Sequence, residues 1–391
     1  MRKRRVLLYV QHLLGIGHYK RAVTLADAMT RSGLEVTMVS GGLPVPQLPT
    51  NVARLVQLPP AGAADLSFRT LLDAQGQAVD DAWKARRSAL LLEVSQQVDP
   101  HALVIELFPF GRRQMRFELL PLLQAAHARA PAPVCVSSVR DVLGGGQKDP
   151  SRQGAMLQAF EQYFDQVLVH GDAAVVPFDA TFRHAGALGQ RLHYTGYVVE
   201  RREAVVDRTA QGRGEVLVSA GGGAVGQQLL QTAILARPLS QLRGAHWRLL
   251  AGVNAGETDL AALRHMAQRA EPGGITVERH RADFVDLLGH CKVSVSQAGY
   301  NTTMEILSSG ARAVLVPFAG GAEIEQSLRA RLLAQRGWIE LLEESELTPT
   351  SLALTVDAAA ARAHKRVSGI DLDGANRSAH LLAGWITERF E

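Results

Sequence analysis

From Lys292 to Gln326 the chain reads KVSVSQAGYNTTMEILSSGARAVLVPFAGGAEIEQ, a stretch of short apolar runs broken at glycines. Val293 and Val295 open a strand that stops at Gln297-Ala298-Gly299. A helix can start just beyond, with Asn301, Thr302 or Thr303 as N-cap, because a side-chain oxygen there accepts from an orphaned backbone N–H. Ala313 to Pro317 is a second apolar run, and a two-glycine loop then ends in Glu325-Gln326. Strand, glycine turn, helix and strand form a βα unit of a parallel sheet. Such sheets bind ligands beyond the carboxyl ends of their strands. Gln297, Gly299, Asn301, Thr302, Thr303, Glu305, Glu325 and Gln326 are therefore expected around one pocket. Amides and hydroxyls at a helix N-terminus suit a phosphate. A carboxylate one turn further in can accept from a ribose diol, and a carboxylate–amide pair can hold sugar hydroxyls. The expectation is a sugar-nucleotide pocket; the plain alternative is an ordinary βα unit with a polar loop.

The same rhythm organises the whole chain. Val6 to Val10 is an apolar strand broken by Gly15-Ile16-Gly17-His18, and Tyr19 to Thr30 has helical spacing. Further strands are expected at 34–39, 52–58, 102–107, 133–139, 166–169 and 192–197, with one or two helices across 69–98. Residues 198–214 are charged and aperiodic, the best linker. A second series then runs through strands at 215–219, 247–250, 275–278, 293–296, 313–316 and 338–341, and closes with an amphipathic helix from Ala375 to Phe390. A chain of 391 residues exceeds the usual single core. Alternation of strand and helix predicts an α/β protein of two Rossmann-like, doubly wound parallel-sheet domains. The G-x-G at 15–17 lacks the third glycine of a dinucleotide fingerprint, and the second strand ends in Ser40-Gly41-Gly42 with no acid, which argues against a nicotinamide or flavin.

Composition narrows the class. Hydrophobic residues make up 47% and charged residues 20%, as in a globular protein. A net charge of +4 permits an anionic ligand or a membrane surface and demands neither; a nucleic-acid partner is not expected. Cys135 and Cys291, far apart in apolar contexts, read as free thiols of a reducing compartment. No apolar run is long enough to span a bilayer, and Arg2 to Arg5 followed by VLLYVQ reads as the start of a strand, so a cytoplasmic protein is expected. Asp371-Leu372-Asp373 is a D-x-D string outside any strand-end context and is read as chance. Zinc spacing, a P-loop and a G-x-S-x-G elbow are missing from the sequence.

The order Q-A-G-Y-N-T-T-x-E, followed after one strand by E-Q, resembles the donor-binding signature of GT-B glycosyltransferases. That group includes the UDP-sugar enzymes of natural-product glycosylation and the family 28 GlcNAc transferase that forms lipid II. The likeness covers the two-domain plan and is motif-specific at 15–18, 219–223 and 297–326. It implies an acceptor-binding domain over 1–198, a linker over 199–214, a nucleotide-sugar domain over 215–373, and a helix at 374–391 packing back on the first. Asn301 and Thr302 would touch the diphosphate, Glu305 the ribose, and Glu325 with Gln326 the donor sugar. Gln297 stands where related enzymes carry His or Arg; apart from the resemblance, Arg281 is read as a candidate for the missing cation. Ser219, Gly222 and Gly223 would form a second phosphate loop. The turn carrying Gly15, Gly17 and His18 would face the donor pocket, with His18 as base; the alternative is that His18 caps the helix or binds a phosphate.

Glu106 is given three readings: it orients His18, acts as the base itself, or forms a structural salt bridge with Arg112 or Arg113. Arg112, Arg113 and Arg116 mark either the approach of an acidic or phosphorylated acceptor or a solvated face. The implied activity is metal-independent, inverting transfer from a nucleoside diphosphate sugar, a UDP-sugar first, to a hydroxyl of an unidentified acceptor, with no cofactor. Peripheral attachment to the inner face of a membrane is compatible. Two readings compete: a UDP-sugar hydrolase or 2-epimerase on the same fold, and a catalytically inactive nucleotide-sugar-binding protein.

Overall fold

Every strand of the two large sheets pairs in parallel, as runs rich in Val, Leu and Ile and buried on both faces require. The computed structural model describes all residues except 1–2, 14, 46–50, 65–69, 145–148, 200–211, 222–225, 254, 271–272, 321–323 and 364–368. It divides into one unit of Met1–Glu200 with Asp371–Glu391 and a second of Arg201–Ile370.

The first unit holds β1 (Arg5–Val10), β2 (Glu35–Ser40), β3 (Arg54–Gln57), β4 (Gly62–Ala63), β5 (Leu71–Leu72), β6 (Ala102–Glu106), β7 (Val134–Arg140), β8 (Gln166–His170) and β9 (Leu192–Tyr194). Its helices are α1 (Gly17–Arg31), α2 (Asp81–Val98), α3 (Arg116–His127), α4 (Pro150–Tyr163) and the short α5 (Ala185–Leu188). Seven strands lie in the order β3-β2-β1-β6-β7-β8-β9. The order reverses between β1 and β6, the switch point where open α/β sheets open a crevice. The second unit has β10 (Val216–Ser219), β11 (Trp247–Leu250), β12 (Ile275–Glu278), β13 (Val293–Ser296), β14 (Ala313–Leu315) and β15 (Glu340–Leu341), ordered β12-β11-β10-β13-β14-β15. Its helices are α6 (Gln227–Ala236), α7 (Glu257–Ala270), α8 (Phe284–His290), α9 (Tyr300–Ser309), α10 (Glu325–Gln335) and α11 (Pro349–Ala361). Its switch point lies between β10 and β13.

Alternation along the strands of the first unit decides what faces what. Leu7, Tyr9, Leu103, Ile105 and Val167 belong to the core packed with α2, α3 and α4, whereas Val6, Leu8, Val10, Val104, Val136 and Leu168 belong to the core packed with α1. Continued to the carboxyl ends, the same alternation puts Glu106, Ser138, Arg140 and His170 on the α1 side. That face begins apolar and ends polar beside the start of α1.

The chain closes on the first unit with α12 (Gly374–Phe390), whose Ala375, Ala379, Leu382 and Ile386 complete the α1-side core. Its return is tight. Gly196 has φ +82, and a Cβ on Gly374 would stand 2.3 Å from the Gly196 carbonyl oxygen, so neither site accepts a side chain. The Asp371 carboxylate pairs with Arg377 and accepts the Asp373 N–H at 3.0 Å. The D-x-D string is thus the entry turn of this helix.

One expectation is corrected here. Residues 69–98 are not helical throughout: Leu71–Leu72 pairs antiparallel with Gly62–Ala63. The Asp73 carboxylate then accepts from the Gln75 and Gln77 N–H groups, a local turn that outcompetes a helix. The α2 helix starts only after Asp80, which caps the Trp83 N–H at 2.7 Å. Both cysteines are free, and burial pushes each thiol up to about 12, so neither is a thiolate near neutrality. Among the described residues no helix is long and apolar enough to cross a membrane.

Arg87 and Glu118, both fully buried, join α2 to α3 through Nε–Oε2 at 2.6 Å and Nη2–Oε1 at 2.9 Å. Arg87 Nη1 also donates to the carbonyls of Gly41 and Pro59. Removing one partner strands a buried charge, so Arg87→Met is expected to cost about 3–5 kcal/mol in urea unfolding of the intact chain. His170, buried between Ser138 Oγ at 2.7 Å and Thr195 Oγ1 at 3.0 Å, is pushed down to about 3 by desolvation, with Arg21 acting in the same sense. Its contribution to stability is complete above the unfolded value of about 6.5 and is lost as pH falls toward about 3. In His170→Gln, the loss of stability between pH 6.5 and 4 should be shallower than in the wild type.

Candidate functional site

In the first unit, α1 begins at Gly17 and carries His18 on its first turn, at the switch point beside the end of β6. The His18 Nδ1 lies 2.6 Å from Glu106 Oε1, and Arg21, one turn along α1, contacts the same oxygen. Glu106 is fully buried, and burial alone would raise its pKa. His18, Arg21 and Arg112 outweigh that and hold the carboxyl well below the usual range. Burial pushes the His18 imidazole well below its ordinary pKa against the pull of Glu106, with Arg112 and Arg140 adding to the depression. A neutral imidazole facing an ionised carboxylate must donate from Nδ1, an assignment made from the hydrogen-bond geometry. Nε2 is then an acceptor. It has no partner among the described residues and is not sealed from solvent.

The ion pair expected of Glu106 has a different partner from those read in the sequence. Its ion-pair partner is Arg21 from α1, and Arg112 instead donates from Nε to the Gln11 carbonyl at 2.8 Å. The reason is the sheet: β6 neighbours β1 and its helix, while the chain turns away after Glu106 through Leu107 and Arg112, both at positive φ. Both contacts fall on Oε1 of a fully buried carboxylate, an arrangement that orients the imidazole. Arg113 and Arg116 are exposed. Arg21 was missed from the sequence; its signal was the i, i+3 spacing from His18 on one helix.

In the second unit, the candidate donor residues gather at the switch point. Ser219 ends β10 and Gln297 follows β13, its N–H 3.4 Å from the Ser219 carbonyl. Ser219 Oγ accepts the Gly221 N–H at 3.2 Å. Gly221 has φ +70, and a Cβ there would come within 3.9 Å of Thr302 Oγ1, so this loop passes close to the first turn of α9. Gly222 and Gly223 lie outside the described residues. Gly299 is the N-cap of α9, and Asn301, Thr302 and Glu305 are half-buried on its first turns.

Two placements differ from expectation. Thr303 is fully buried on the core side of α9 with Tyr300, Met304 and Ile306, so it does not line the pocket. Helical periodicity carries it inward once the cap falls at Gly299. Arg281 follows β12, an edge strand three spacings from β13, or about 14 Å. It is held by Asp283 at 2.6 Å, so it does not stand beside Gln297.

Glu325 and Gln326 begin α10. The buried Glu325 pairs with Arg329 at 2.9 Å, and Arg329 Nη1 reaches the Ala298 carbonyl at 3.2 Å. Arg329 thus ties α10 to the turn after β13, a role signalled only by Glu–Arg spacing at i, i+4. Gln326 Oε1 accepts the Phe318 N–H at 3.1 Å.

Residues 218–371 match the glycosyltransferase family 28 C-terminal domain. The UDP-N-acetylglucosamine--N-acetylmuramyl-(pentapeptide) pyrophosphoryl-undecaprenol N-acetylglucosamine transferase of Nitrosospira multiformis is 29% identical over 160 residues, 40% of this chain and 43% of that protein. The calicheamicin glycosyltransferase CalG4 superposes with TM-score 0.61 at 17% identity, covering 99% of this chain and 98% of the other. A Listeria monocytogenes structure named for UDP-N-acetylglucosamine 2-epimerase gives TM-score 0.62 at 13% identity, over 100% and 98%. The chain therefore has the GT-B fold, and its residues 218–371 are a glycosyltransferase family 28 C-terminal domain.

Proposed function

We propose that this protein is a metal-independent, inverting glycosyltransferase that moves a sugar from a UDP-sugar to an acceptor hydroxyl. The observation that carries the reading is the His18–Glu106 contact at 2.6 Å, made at a switch point in a chain whose other unit is a family 28 domain. The acceptor oxygen attacks the anomeric carbon, the bond from that carbon to the diphosphate oxygen breaks, and His18 Nε2 takes the hydroxyl proton. Glu106, fixed by Arg21, holds the ring in the tautomer that leaves Nε2 free. The leaving diphosphate is stabilised by the N-terminus of α9 and the hydroxyls of Ser219 and Thr302, with Asn301 beside them. Glu305 takes the ribose and Gln326 the donor sugar, while Glu325, paired with Arg329, holds the start of α10.

A thermal-shift panel of UDP, dTDP, GDP and their sugars tests the donor. UDP and one UDP-sugar should stabilise the protein, by about 2.7 kcal/mol at a hundredfold excess over Kd. No shift with any of them ends the proposal. Once an acceptor is in hand, His18→Ala should lower kcat about 10²–10⁴-fold with the donor KM little changed. Free sugar released from UDP-N-acetylglucosamine without acceptor would instead assign a hydrolase or epimerase, and a fully active His18→Ala would assign a binding protein.

A further inference from the structure

Arg112 sits in the loop after β6 and is anchored by one nitrogen only, Nε to the Gln11 carbonyl at 2.8 Å. The anchor is firm, because Gln11 Nε2 donates to the carbonyls of His12 and Ala61, and its Oε1 accepts from Arg87. Nη1 and Nη2 of Arg112 donate to no described residue and are not sealed from solvent. The carboxylate that acts on Arg112 is Glu106, which already serves Arg21 and His18 through one oxygen. A guanidinium held by its stem, with two parallel donors unspent beside a catalytic base, is the arrangement that takes a carboxylate or phosphate.

We propose that Arg112 binds an anionic group, carboxylate or phosphate, that the acceptor carries near the hydroxyl facing His18. This rests on the transferase reading above and specifies its acceptor class. It also links binding to chemistry. His18 is surrounded by Glu106 from β6, Arg21 from α1, Arg140 from β7 and Arg112 from the loop, and His12 acts on the same Glu106 and Arg112. A bound anion offsets the push of Arg112 on the imidazole and raises its basicity. The base is then strongest when the acceptor is in place and weaker toward water.

The test uses the full chain saturated with UDP, so that the nucleotide pocket is filled, and inorganic phosphate as probe at constant ionic strength. The His18 ring resonance, assigned with His18→Gln, is titrated by NMR. In the wild type, phosphate should raise the His18 pKa saturably. In Arg112→Gln that pKa should be higher without phosphate, because a positive neighbour is gone, and the phosphate response should weaken about tenfold or more. Arg112→Lys, which keeps the charge and loses the fork, should leave the free pKa in place and still weaken phosphate; it carries the test if Arg112→Gln does not fold. Equal phosphate responses in wild type and variants, or none, overturn the proposal. So does a full shift from UDP alone to which phosphate adds nothing, since the anion would then be the donor's. Stabilisation by UDP, read in the same samples, shows whether only the acceptor class fails or the transferase reading fails too.

Discussion

A carboxylate sealed at the end of a buried strand must keep charged partners, and Glu106 meets that demand by binding across to α1. Removing a charge from water costs several kcal/mol, repaid only by close opposite charge and hydrogen bonds. Arg21 and His18 supply both from consecutive turns of one helix. The pairing therefore fixes the start of α1 against β6 and sets the imidazole with Nδ1 inward and Nε2 outward.

That contact has a foundation behind it. On the opposite side of β1, the Arg87–Glu118 pair, joined by Tyr9, locks α2 to α3 and steadies Gln11. Gln11 in turn holds Arg112. Charged groups on both faces of one strand thus converge on the loop that leads into α1. In the second unit, Arg329 does comparable work with less. It links the first turn of α10, through Glu325, to the backbone just before α9.

Much of the architecture was legible because it follows from local pattern. Short apolar runs ending at glycine gave both sheets and nearly all strand positions, since a buried parallel strand needs little beyond apolar side chains and a turn. The stretch 69–98 misled because Asp73 and Asp80 divert backbone N–H groups into a turn and a cap, which a count of apolar spacing does not register. Thr303 misled because a hydroxyl at a helix start reads as a cap until the helix phase is known. Glu106 was conspicuous as a carboxylate ending an apolar strand, but its partner was sought among the arginines next in sequence, whereas strand order brings one from a helix 85 positions earlier.

The sequence by itself determined the class of fold, the two switch-point turns and the GT-B resemblance around Asn301, because these depend on residue type and spacing along the chain. Only the tertiary structure decided that Glu106 faces Arg21, that Thr303 turns inward, that Arg281 follows an edge strand and that two nitrogens of Arg112 find no partner among the described residues. Each of these depends on strand order and helix phase, which bring together groups that spacing along the chain leaves far apart.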